Sequence, residues 1–361
     1  MTRELTFTAS DRLLVFAPHP DDETIATGEL IQLANAAGAN VRVVFATDGD
    51  NNPWPQRWIE RRFRIGAAER ARWGQRRRVE AMAALEALGL DADAARFLGW
   101  PDQTLTSKLL HDPSAVDTLA NEIAAFSPTH VAMPSLRDRH PDHGALRVML
   151  DLALAKSASA CMRLGYVVHG RVPSARDWQM TPDPVRHERK RCALIEHASQ
   201  IRLSRRRLMR WVEQGETFEW PEDDVAGATL LPAADRILRI PLPSSHRIWR
   251  RHEVLIVIGG RRRIERARVL LPRFVRASAR SVLAEGLCSG RVTVELIGHT
   301  LQITFAATTD SVSSAYVKLE RTWPRVVIFD ADTWQRLEDF PAASTGEAVL
   351  TKTQVPERIS V

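Results

Sequence analysis

The chain has 361 residues, of which 44% are apolar, and it carries a formal net charge of +6. This length exceeds the usual size of one domain, so we expect one large or two modest domains with a sizeable core. Cys161, Cys192 and Cys288 are widely spaced and form no C-x-x-C pair, which argues against a disulfide framework and a thiolate metal site. No basic and apolar leader and no run of about 20 apolar residues is present. We therefore predict a cytoplasmic protein without a membrane span.

Arginines supply most of the positive charge, and they cluster at residues 57–64, 70–78, 202–210 and 261–268. Such clusters could meet an anionic partner, but solvated basic helix faces are the more ordinary explanation. Beyond scattered tryptophans, the clusters contain no array of aromatic side chains on which bases could stack. A nucleic-acid partner is therefore not expected.

Strand and helix signals alternate over the first half of the chain. Strands are predicted at Leu13–Ala17, Val41–Ala46, Arg96–Leu98 and His130–Met133, and helices at Gly28–Ala37, Gln75–Leu88, Ser114–Phe126 and Gly144–Ala155. Short apolar strands separated by helices predict an α/β fold in which helices cover both faces of a parallel sheet.

The pattern changes after Trp220. Apolar residues alternate with polar ones over 292–296 and again over 301–305, which predicts a β-hairpin. Further strands are predicted at Ile237–Leu242, Val254–Ile258 and Val326–Phe329. Residues 221–234 are a plausible linker, so we predict a first domain at 1–220 and a β-rich accessory region at 235–361.

Polar side chains follow three of the predicted strands. Residues 19–23 follow the first strand, residues 47–50 follow the second, and residues 138–143 follow the strand that ends at Met133. The carboxyl ends of parallel strands meet at one edge of the sheet, where ligands usually bind. We therefore expect these polar groups to lie close together.

The residue types in these segments suit a metal centre. Neutral imidazoles and a carboxylate are good Zn²⁺ ligands, and three protein ligands leave a position for water, as in a hydrolytic site. A second carboxylate near that water could accept its proton. A lone His-Asp pair would more often serve as a helix cap or a hydrogen-bonding pair. The recurrence of acids with histidines at several strand ends favours the metal site.

The segments Ala17-Pro18-His19-Pro20-Asp21-Asp22-Glu23, Thr47-Asp48-Gly49 and His140-Pro141-Asp142-His143 resemble the signatures of the PIG-L/LmbE-like family of zinc-dependent N-deacetylases. The resemblance extends through 77–80, 98–102, 190–194 and 197–200, and it covers about residues 11 to 220. It implies a Rossmann-like fold, a single divalent metal ion, Zn²⁺ or Fe²⁺, and hydrolysis of an acetamido group. The implied substrate is commonly an N-acetylglucosaminyl compound, either a small molecule or a glycoconjugate.

The resemblance also implies roles for individual residues. The metal ligands would be His19, Asp22 and His143. Asp21 would be the general base that activates water, and His140 would stabilise the oxyanion and protonate the leaving amine. Asp142 would orient the His140 imidazole. Each group answers a requirement of amide hydrolysis, which needs an activated nucleophile, stabilisation of charge on the carbonyl oxygen and a proton for nitrogen.

Substrate contacts are implied for Arg77 and Asp102, which would bind sugar hydroxyls as donor and acceptor. Arg77 could equally be a solvated helix charge, and Asp102 a turn former. Glu23 would lie behind the metal site or at a helix N-terminus. Further histidines have no acid at useful spacing and are read as structural: His111, His130, His169, His187 and His197.

Three functions are compatible with these features. The first is a metal-dependent N-deacetylase for an N-acetylated amino sugar. The second is a metal-dependent amidase for another N-acyl group, because the motifs define the bond chemistry better than the acyl length. The third is a non-catalytic binder of anionic ligands that uses the arginine clusters. The oligomeric state stays open.

Overall fold

The computed structural model describes residues 5–170, 177–219, 235–241, 252–260, 263–271, 280–285, 291–306, 312–321, 329–330, 332–337 and 347–349. The chain divides into two compact units, Met1–Asp223 and Asp224–Val361, and each is described by itself. The predicted linker at 221–234 lies outside the described residues. In the described part of the chain, no helix combines the length and the apolar character that crossing a membrane would need.

The first unit alternates strands and helices. Its elements are β1 (Arg12–Ala17), α1 (Asp22–Ala36), β2 (Asn40–Thr47), α2 (Pro53–Glu60), α3 (Ala67–Ala87), β3 (Ala95–Trp100), α4 (Leu105–His111), α5 (Ser114–Phe126), β4 (His130–Pro134), α6 (Pro141–Ser157), β5 (Met162–Tyr166), β6 (Trp178–Gln179), α7 (Pro184–Glu196), α8 (Ala198–Glu213) and β7 (Thr217–Glu219). A short 3-10 helix, Ala92–Ala94, precedes β3.

These strands form one seven-stranded sheet in the order β3-β2-β1-β4-β5-β7-β6. The strands from β3 to β5 pair in parallel, and β7 pairs antiparallel with both β5 and β6. The predicted α/β fold with a mostly parallel sheet is therefore confirmed. Strand β1 lies inside the sheet, between β2 and β4, so the loops that follow β1 and β4 meet at the same edge.

Helices cover both faces of this sheet, as predicted. Helices α1, α3, α7 and α8 contact one another, and α4, α5 and α6 form a separate contacting group. The side chains of β1 alternate between the two sides: Leu13, Val15 and Ala17 belong to the core cluster that includes α1, α3, α7 and α8. Leu14 and Phe16 are fully buried outside that cluster. Period-two alternation explains why β1 is apolar throughout, since both of its faces are covered.

Three helices begin earlier than the sequence pattern predicted, and one of them is α6, which begins at Pro141 rather than Gly144. Helix α1 begins at Asp22 rather than Gly28, because the acids of the motif occupy its first turn, where carboxylates complement the helix dipole. Helix α3 begins at Ala67 rather than Gln75. Its arginine-rich start lacks an apolar period, but Glu69 accepts a hydrogen bond from the Gly66 N–H at 3.0 Å and so caps the helix.

The second unit consists of strands. They are β8 (Asp235–Pro241), β9 (His252–Gly260), β10 (Ile264–Leu270), β11 (Arg280–Glu285), β12 (Arg291–Ile297), β13 (Thr300–Ala306), β14 (Val312–Arg321), β15 (Gln335–Arg336) and β16 (Glu347–Val349). They form a nine-stranded sheet in the order β15-β14-β9-β10-β11-β12-β13-β8-β16. The predicted β-rich character and the β12–β13 hairpin, with Val294 opposite Ile303, are confirmed.

One basic cluster of this unit is not a helix face. The arginine run at 261–268 was expected on a solvated helix, but Ile264–Leu270 is strand β10. Ala267 and Val269 point into the apolar core of the unit, and the intervening arginines occupy the other side of the strand. Of the predicted strand Val326–Phe329, only Phe329 lies within the described residues, and it belongs to no strand.

Candidate metal centre

Two loops at the carboxyl edge of the first sheet supply the histidines of the motifs. One follows β1 and carries His19, and the other follows β4 and leads into α6, which carries His143. Because β1 and β4 are paired, the two loops meet. The ring centroids of His19 and His143 are 5.4 Å apart, and those of His19 and His140 are 4.8 Å apart. The predicted convergence of these motifs is therefore present in the structure.

The three predicted metal ligands are adjacent. Asp22 Oδ2 lies 3.1 Å from His19 Nδ1 and 3.2 Å from His143 Nε2. All three side chains are buried. His143 Nε2 has no hydrogen-bond partner within the described part of the chain, although most buried polar atoms have one. A buried imidazole nitrogen facing a carboxylate without a hydrogen bond suits a metal ligand, so these residues fit a divalent cation.

Asp138 fixes the His143 ring from the opposite side. Its Oδ2 lies 3.0 Å from His143 Nδ1 and accepts the backbone N–H groups of Val168 at 2.8 Å and His169 at 3.0 Å. Burial alone would raise the pKa of Asp138, but His143 and His169 hold it well below its usual range. A carboxylate on the second nitrogen orients a ligating histidine and sets its tautomer. The sequence pattern predicts that Asp138 lies near the site, but it does not indicate this role.

Further donors crowd the same region. Ligand atoms of His19, His140 and His143 lie within 4.8 Å of one another, as do those of His19, Asp102 and Asp142. Burial and the neighbouring His19, His143 and His169 rings hold the pKa of His140 well below its usual value. A neutral imidazole is therefore the favoured form of His140 in this arrangement of side chains.

Asp142 contacts His140 through its backbone. The Asp142 N–H donates to His140 Nδ1 at 3.3 Å, so the two meet at the first turn of α6. The Asp142 carboxylate accepts the N–H groups of Gln103 at 2.7 Å and Leu105 at 3.0 Å. Its Oδ2 also lies 3.4 Å from His19 Nε2. Asp142 thus connects α6 to the segment that follows β3.

The adjacent acids Asp21 and Asp22 have opposite electrostatic environments. Burial raises the pKa of Asp21, and the Arg77 guanidinium only partly offsets this effect. Burial would also raise the pKa of Asp22, but His143 and His19 outweigh it and hold that pKa well below its usual range. Titratable neighbours whose environments separate their pKa values are typical of acid and base pairs in active sites.

Arg77 is buried rather than solvated, so the alternative of a solvated helix charge is wrong. Its guanidinium donates to the backbone oxygens of Gly49, at 3.0 Å, and Pro20, and it pairs with Asp21 Oδ1 at 3.2 Å. Gly49 has φ +60°, and a Cβ at this position would lie only 1.6 Å from Arg77 Nη1. The Thr-Asp-Gly turn therefore needs glycine for both its conformation and its close approach to Arg77.

Asp102 belongs to the same cluster. Its Oδ1 lies 3.1 Å from His19 Nε2, and its Oδ2 accepts the Asn51 N–H at 3.2 Å. Burial opposes ionisation, but His19 and Arg77 lower the pKa of Asp102. Nearby, Asp50 accepts the Asp102 N–H at 3.1 Å, and Asp48 forms a two-point ion pair with Arg78. Asp102 therefore does more than form a turn.

One histidine that contacts an acid of the first motif was not predicted from the sequence. His197, at the junction of α7 and α8, places Nε2 at 3.0 Å from Glu23 Oε1, and both residues are fully buried. Burial opposes protonation, but Glu23 raises the pKa of His197. These two residues are 174 positions apart. Spacing along the chain could not pair them, and the only signal in the sequence was the short segment at 197–200 within the family resemblance.

The sequence of the first unit matches known proteins. Residues 14–154 match the PIG-L family, described as GlcNAc-PI de-N-acetylase. A 1D-myo-inositol 2-acetamido-2-deoxy-alpha-D-glucopyranoside deacetylase from Nocardia farcinica is 35% identical over 153 residues, which are 38% of this chain and 49% of that protein. A deacetylase of the same name from a Mycobacterium species is 36% identical over 149 residues, 37% of this chain and 46% of that protein. The chain thus spans about half the length of these relatives.

Solved structures also resemble the chain. A deacetylase triple mutant from the teicoplanin biosynthetic pathway has 23% sequence identity and a TM-score of 0.46, covering 59% of this chain and 99% of that one. The N,N'-diacetylchitobiose deacetylase from Pyrococcus horikoshii has 19% identity and a TM-score of 0.45, covering 58% of this chain and 82% of that one. The resemblance to the PIG-L family is carried by the sequence match and by the motifs within it. The similarity to the PIG-L family is found over residues 14–154 of this chain.

Proposed function

We propose that the chain is a metal-dependent N-deacetylase that hydrolyses the acetamido group of an N-acetylglucosaminyl compound, releasing acetate and a free amine. One observation supports this proposal most directly: a single oxygen of Asp22 lies within 3.2 Å of a nitrogen of both His19 and His143, with Asp21 next to it in the chain. The matched relatives are named as deacetylases of an acetamido sugar joined to inositol.

His19, Asp22 and His143 are the proposed metal ligands, and Zn²⁺ is the proposed ion, with Fe²⁺ as the alternative. When bound there, the ion would polarise the acetamido carbonyl and lower the pKa of a bound water. Asp138 would keep Nε2 of His143 available as the ligand atom, because it hydrogen-bonds the other ring nitrogen. Imidazole and carboxylate ligands of this kind are typical of catalytic zinc sites with three protein ligands.

Asp21 is the proposed general base. Its raised pKa brings the carboxylate closer to the working pH, which makes it a better proton acceptor. His140, as a neutral imidazole, is proposed to stabilise the oxyanion by donating a hydrogen bond, and the proton that Asp21 takes from the water is proposed to pass to the leaving nitrogen. Asp142 would hold the His140 ring through its backbone N–H, which donates to Nδ1.

Asp102 and Arg77 are the proposed substrate contacts. Asp102 reaches His19 Nε2 and is therefore close to the proposed reacting centre. The Nε–H of Arg77 has no hydrogen-bond partner among the described residues, so one donor of its guanidinium is unused. Replacing Asp102 with Asn should raise KM more than it lowers kcat if the carboxylate binds a sugar hydroxyl.

We also propose that the protein acts in the cytoplasm on a small molecule or a glycoconjugate. Residues 1–220 would contain the catalytic domain, and residues 235–361 would form an accessory region. A metal-dependent amidase for another N-acyl group is the alternative, and turnover of matched N-acetyl and N-butyryl glucosamine conjugates would distinguish the two.

The decisive experiment separates the adjacent acids. Asp22→Asn should lower metal content, because an amide is a poorer ligand than a carboxylate. Asp21→Asn should keep the metal and lower kcat by about 10²- to 10⁴-fold, because the water loses its proton acceptor. Metal content would be measured by elemental analysis, and turnover by release of free amine from N-acetylglucosaminyl conjugates. Full activity of both variants in the presence of a chelator would refute the proposed function.

A further inference from the structure

The backbone of Asp21 is held in an unusual conformation. Its φ is +131°, a region that residues with a Cβ rarely adopt, and it therefore needs support from its surroundings. The Asp21 N–H donates to Glu23 Oε2 at 2.9 Å, and the Asp21 carbonyl oxygen accepts the Ile25 N–H at 3.0 Å. Glu23 thus holds the strained peptide at the point where the loop enters α1.

Glu23 is in turn held from a distant part of the chain. Its other oxygen, Oε1, accepts the Thr24 hydroxyl at 2.7 Å and lies 3.0 Å from His197 Nε2. Glu23 and His197 have no solvent exposure. Because both side chains are buried, water does not compete for these hydrogen bonds, and they fix the Glu23 rotamer.

The segment that carries His197 is anchored to the helix that carries Arg77. Ser199 donates its backbone N–H to Glu80 Oε1 at 3.0 Å and its hydroxyl to Glu80 Oε2 at 2.6 Å. Glu80 and Arg77 are three positions apart on α3, so they lie on the same side of that helix. Arg77 then contacts Asp21 Oδ1 at 3.2 Å.

These contacts form a closed ring that begins and ends at Asp21. The ring runs through Glu23, His197, Ser199, Glu80 and Arg77. It holds Asp21 at two points, the backbone N–H and the carboxylate. A general base that works on one water must keep its oxygen within a fraction of an ångström, since a 1 Å displacement can cost about 10²-fold in rate.

We propose that His197 and Glu23 are positioning residues that hold the carboxylate of Asp21 where it can act as the general base. This inference rests on the proposed function, because it requires that Asp21 is that base. The competing explanation is that the pair only fastens the α7–α8 junction to α1, in which case its loss would affect stability and all steps alike.

The test begins with His197→Ala in the full chain, loaded with Zn²⁺. We expect kcat for an N-acetylglucosaminyl conjugate to fall about 10- to 100-fold, with KM and metal content unchanged. His197→Gln keeps an N–H donor for Glu23 and should recover most of that loss. The matched control is His187→Ala on α7, which removes a histidine that bridges Glu29 and Glu213 away from the metal centre. Its kcat should stay within about twofold of the parent.

A double variant distinguishes positioning of Asp21 from a purely structural attachment of the α7–α8 junction to α1. If His197 acts through Asp21, adding His197→Ala to Asp21→Asn should lower kcat no further. A multiplicative loss in the double variant would overturn the inference while leaving the proposed function standing. Undiminished activity of Asp21→Asn alone would instead overturn the proposed role of Asp21. If His197→Ala does not fold, Glu23→Gln takes its place, and the same pair of outcomes applies.

Discussion

Asp138 shows how much of the candidate metal centre depends on a residue that is not itself a proposed ligand. One carboxylate oxygen meets His143 Nδ1 and two backbone N–H groups, and the other accepts the His140 N–H at 2.9 Å. The side chain therefore fixes the ring of one proposed ligand and the backbone of a second functional histidine. Replacing Asp138 should make the His143 ring and the His140 backbone less well fixed, while all three proposed metal ligands remain.

Asp138→Asn should weaken Zn²⁺ affinity about 10- to 100-fold, the usual effect of removing a carboxylate partner from a ligating histidine. The measurement is competition with a chromogenic chelator, at a pH where the protein remains folded. Asp48→Asn is the matched control, because Asp48 pairs with Arg78 rather than with a histidine. An affinity equal to that of the parent would show that Asp138 has no influence on the ligand.

Residue-scale prediction from the sequence succeeded where both partners belonged to local motifs. The side chains of His19, Asp22, His140 and His143 were expected at one sheet edge, because parallel strands place their carboxyl ends together. His197 was read as structural, because its acid lies on α1 and no local spacing reveals it. Contacts between distant segments need the packing of α7 and α8, which periodicity alone does not define.

At the scale of elements, a buried ion pair joins the helices of one face. Lys190 on α7 places Nζ at 2.7 Å from Glu216 Oε1, and both side chains are fully buried. Glu216 also accepts the backbone N–H groups of Glu29 and Leu30 on α1. Burial raises the pKa of Glu216, and Lys190 opposes that shift. Replacing Lys190 with an apolar residue would leave the Glu216 carboxylate buried without its cation.

Lys190→Met should therefore lower the free energy of unfolding by about 3–5 kcal/mol, because it breaks a buried pair on one side only. Lys156→Met is the matched control. Lys156 pairs with Asp117 at 2.6 Å, but both side chains are more than half exposed, and such pairs contribute about 0–1 kcal/mol. Urea denaturation followed by circular dichroism measures both. Equal losses for the two variants would contradict this account of burial.

Asp112 stabilises the start of α5. Its Oδ1 accepts the N–H of Ser114 at 3.0 Å and the Ser114 hydroxyl at 2.6 Å, and its Oδ2 pairs with Lys108. These contacts, led by Lys108, lower the pKa of Asp112 to about 2. A carboxyl group whose pKa is lower in the folded state stabilises that state above its unfolded pKa, and the stabilisation is lost as the pH falls through the folded value.

Asp112→Ala should cost about 1 kcal/mol at neutral pH, as for other carboxylates at helix N-termini. The difference from the parent should stay constant between about pH 7 and 5 and shrink as the pH falls from about 4 towards 2. Urea titrations across this range provide the measurement. A difference that grows on acidification would have the wrong sign for this carboxylate.

Element types were predicted better than element ends. Strands β1, β2 and β4 and helix α5 coincide with the predicted segments within about one residue, because their apolar patterns end at turn residues. Strand β10 was missed, since alternating arginines resemble a basic helix face until the partner strands are known. Helix α2 was not predicted, because a short segment with two prolines carries turn signals.

At the scale of the whole molecule, every proposed catalytic and metal-binding residue lies in the first unit, Met1–Asp223. A protein fragment that ends at residue 223 should therefore bind one Zn²⁺ ion with an affinity within about threefold of that of the full chain, if metal binding depends on this unit alone. Elemental analysis and chelator competition on the purified fragment provide the test, with circular dichroism to establish that it folds. A folded fragment without metal would show that the second unit supplies a ligand.

The pairing of β1 with β4 has a consequence for the order in which the protein acquires its metal during synthesis. His19 and Asp142 lie 123 positions apart, and His143 follows directly, so a nascent chain on the ribosome carries only two of the three proposed ligands until residue 143 has been added. Closing that long loop costs entropy. Metal binding through the third ligand offsets this cost only after strands β1 and β4 have paired. Tight metal capture would thus mark the moment at which the middle of the sheet is complete.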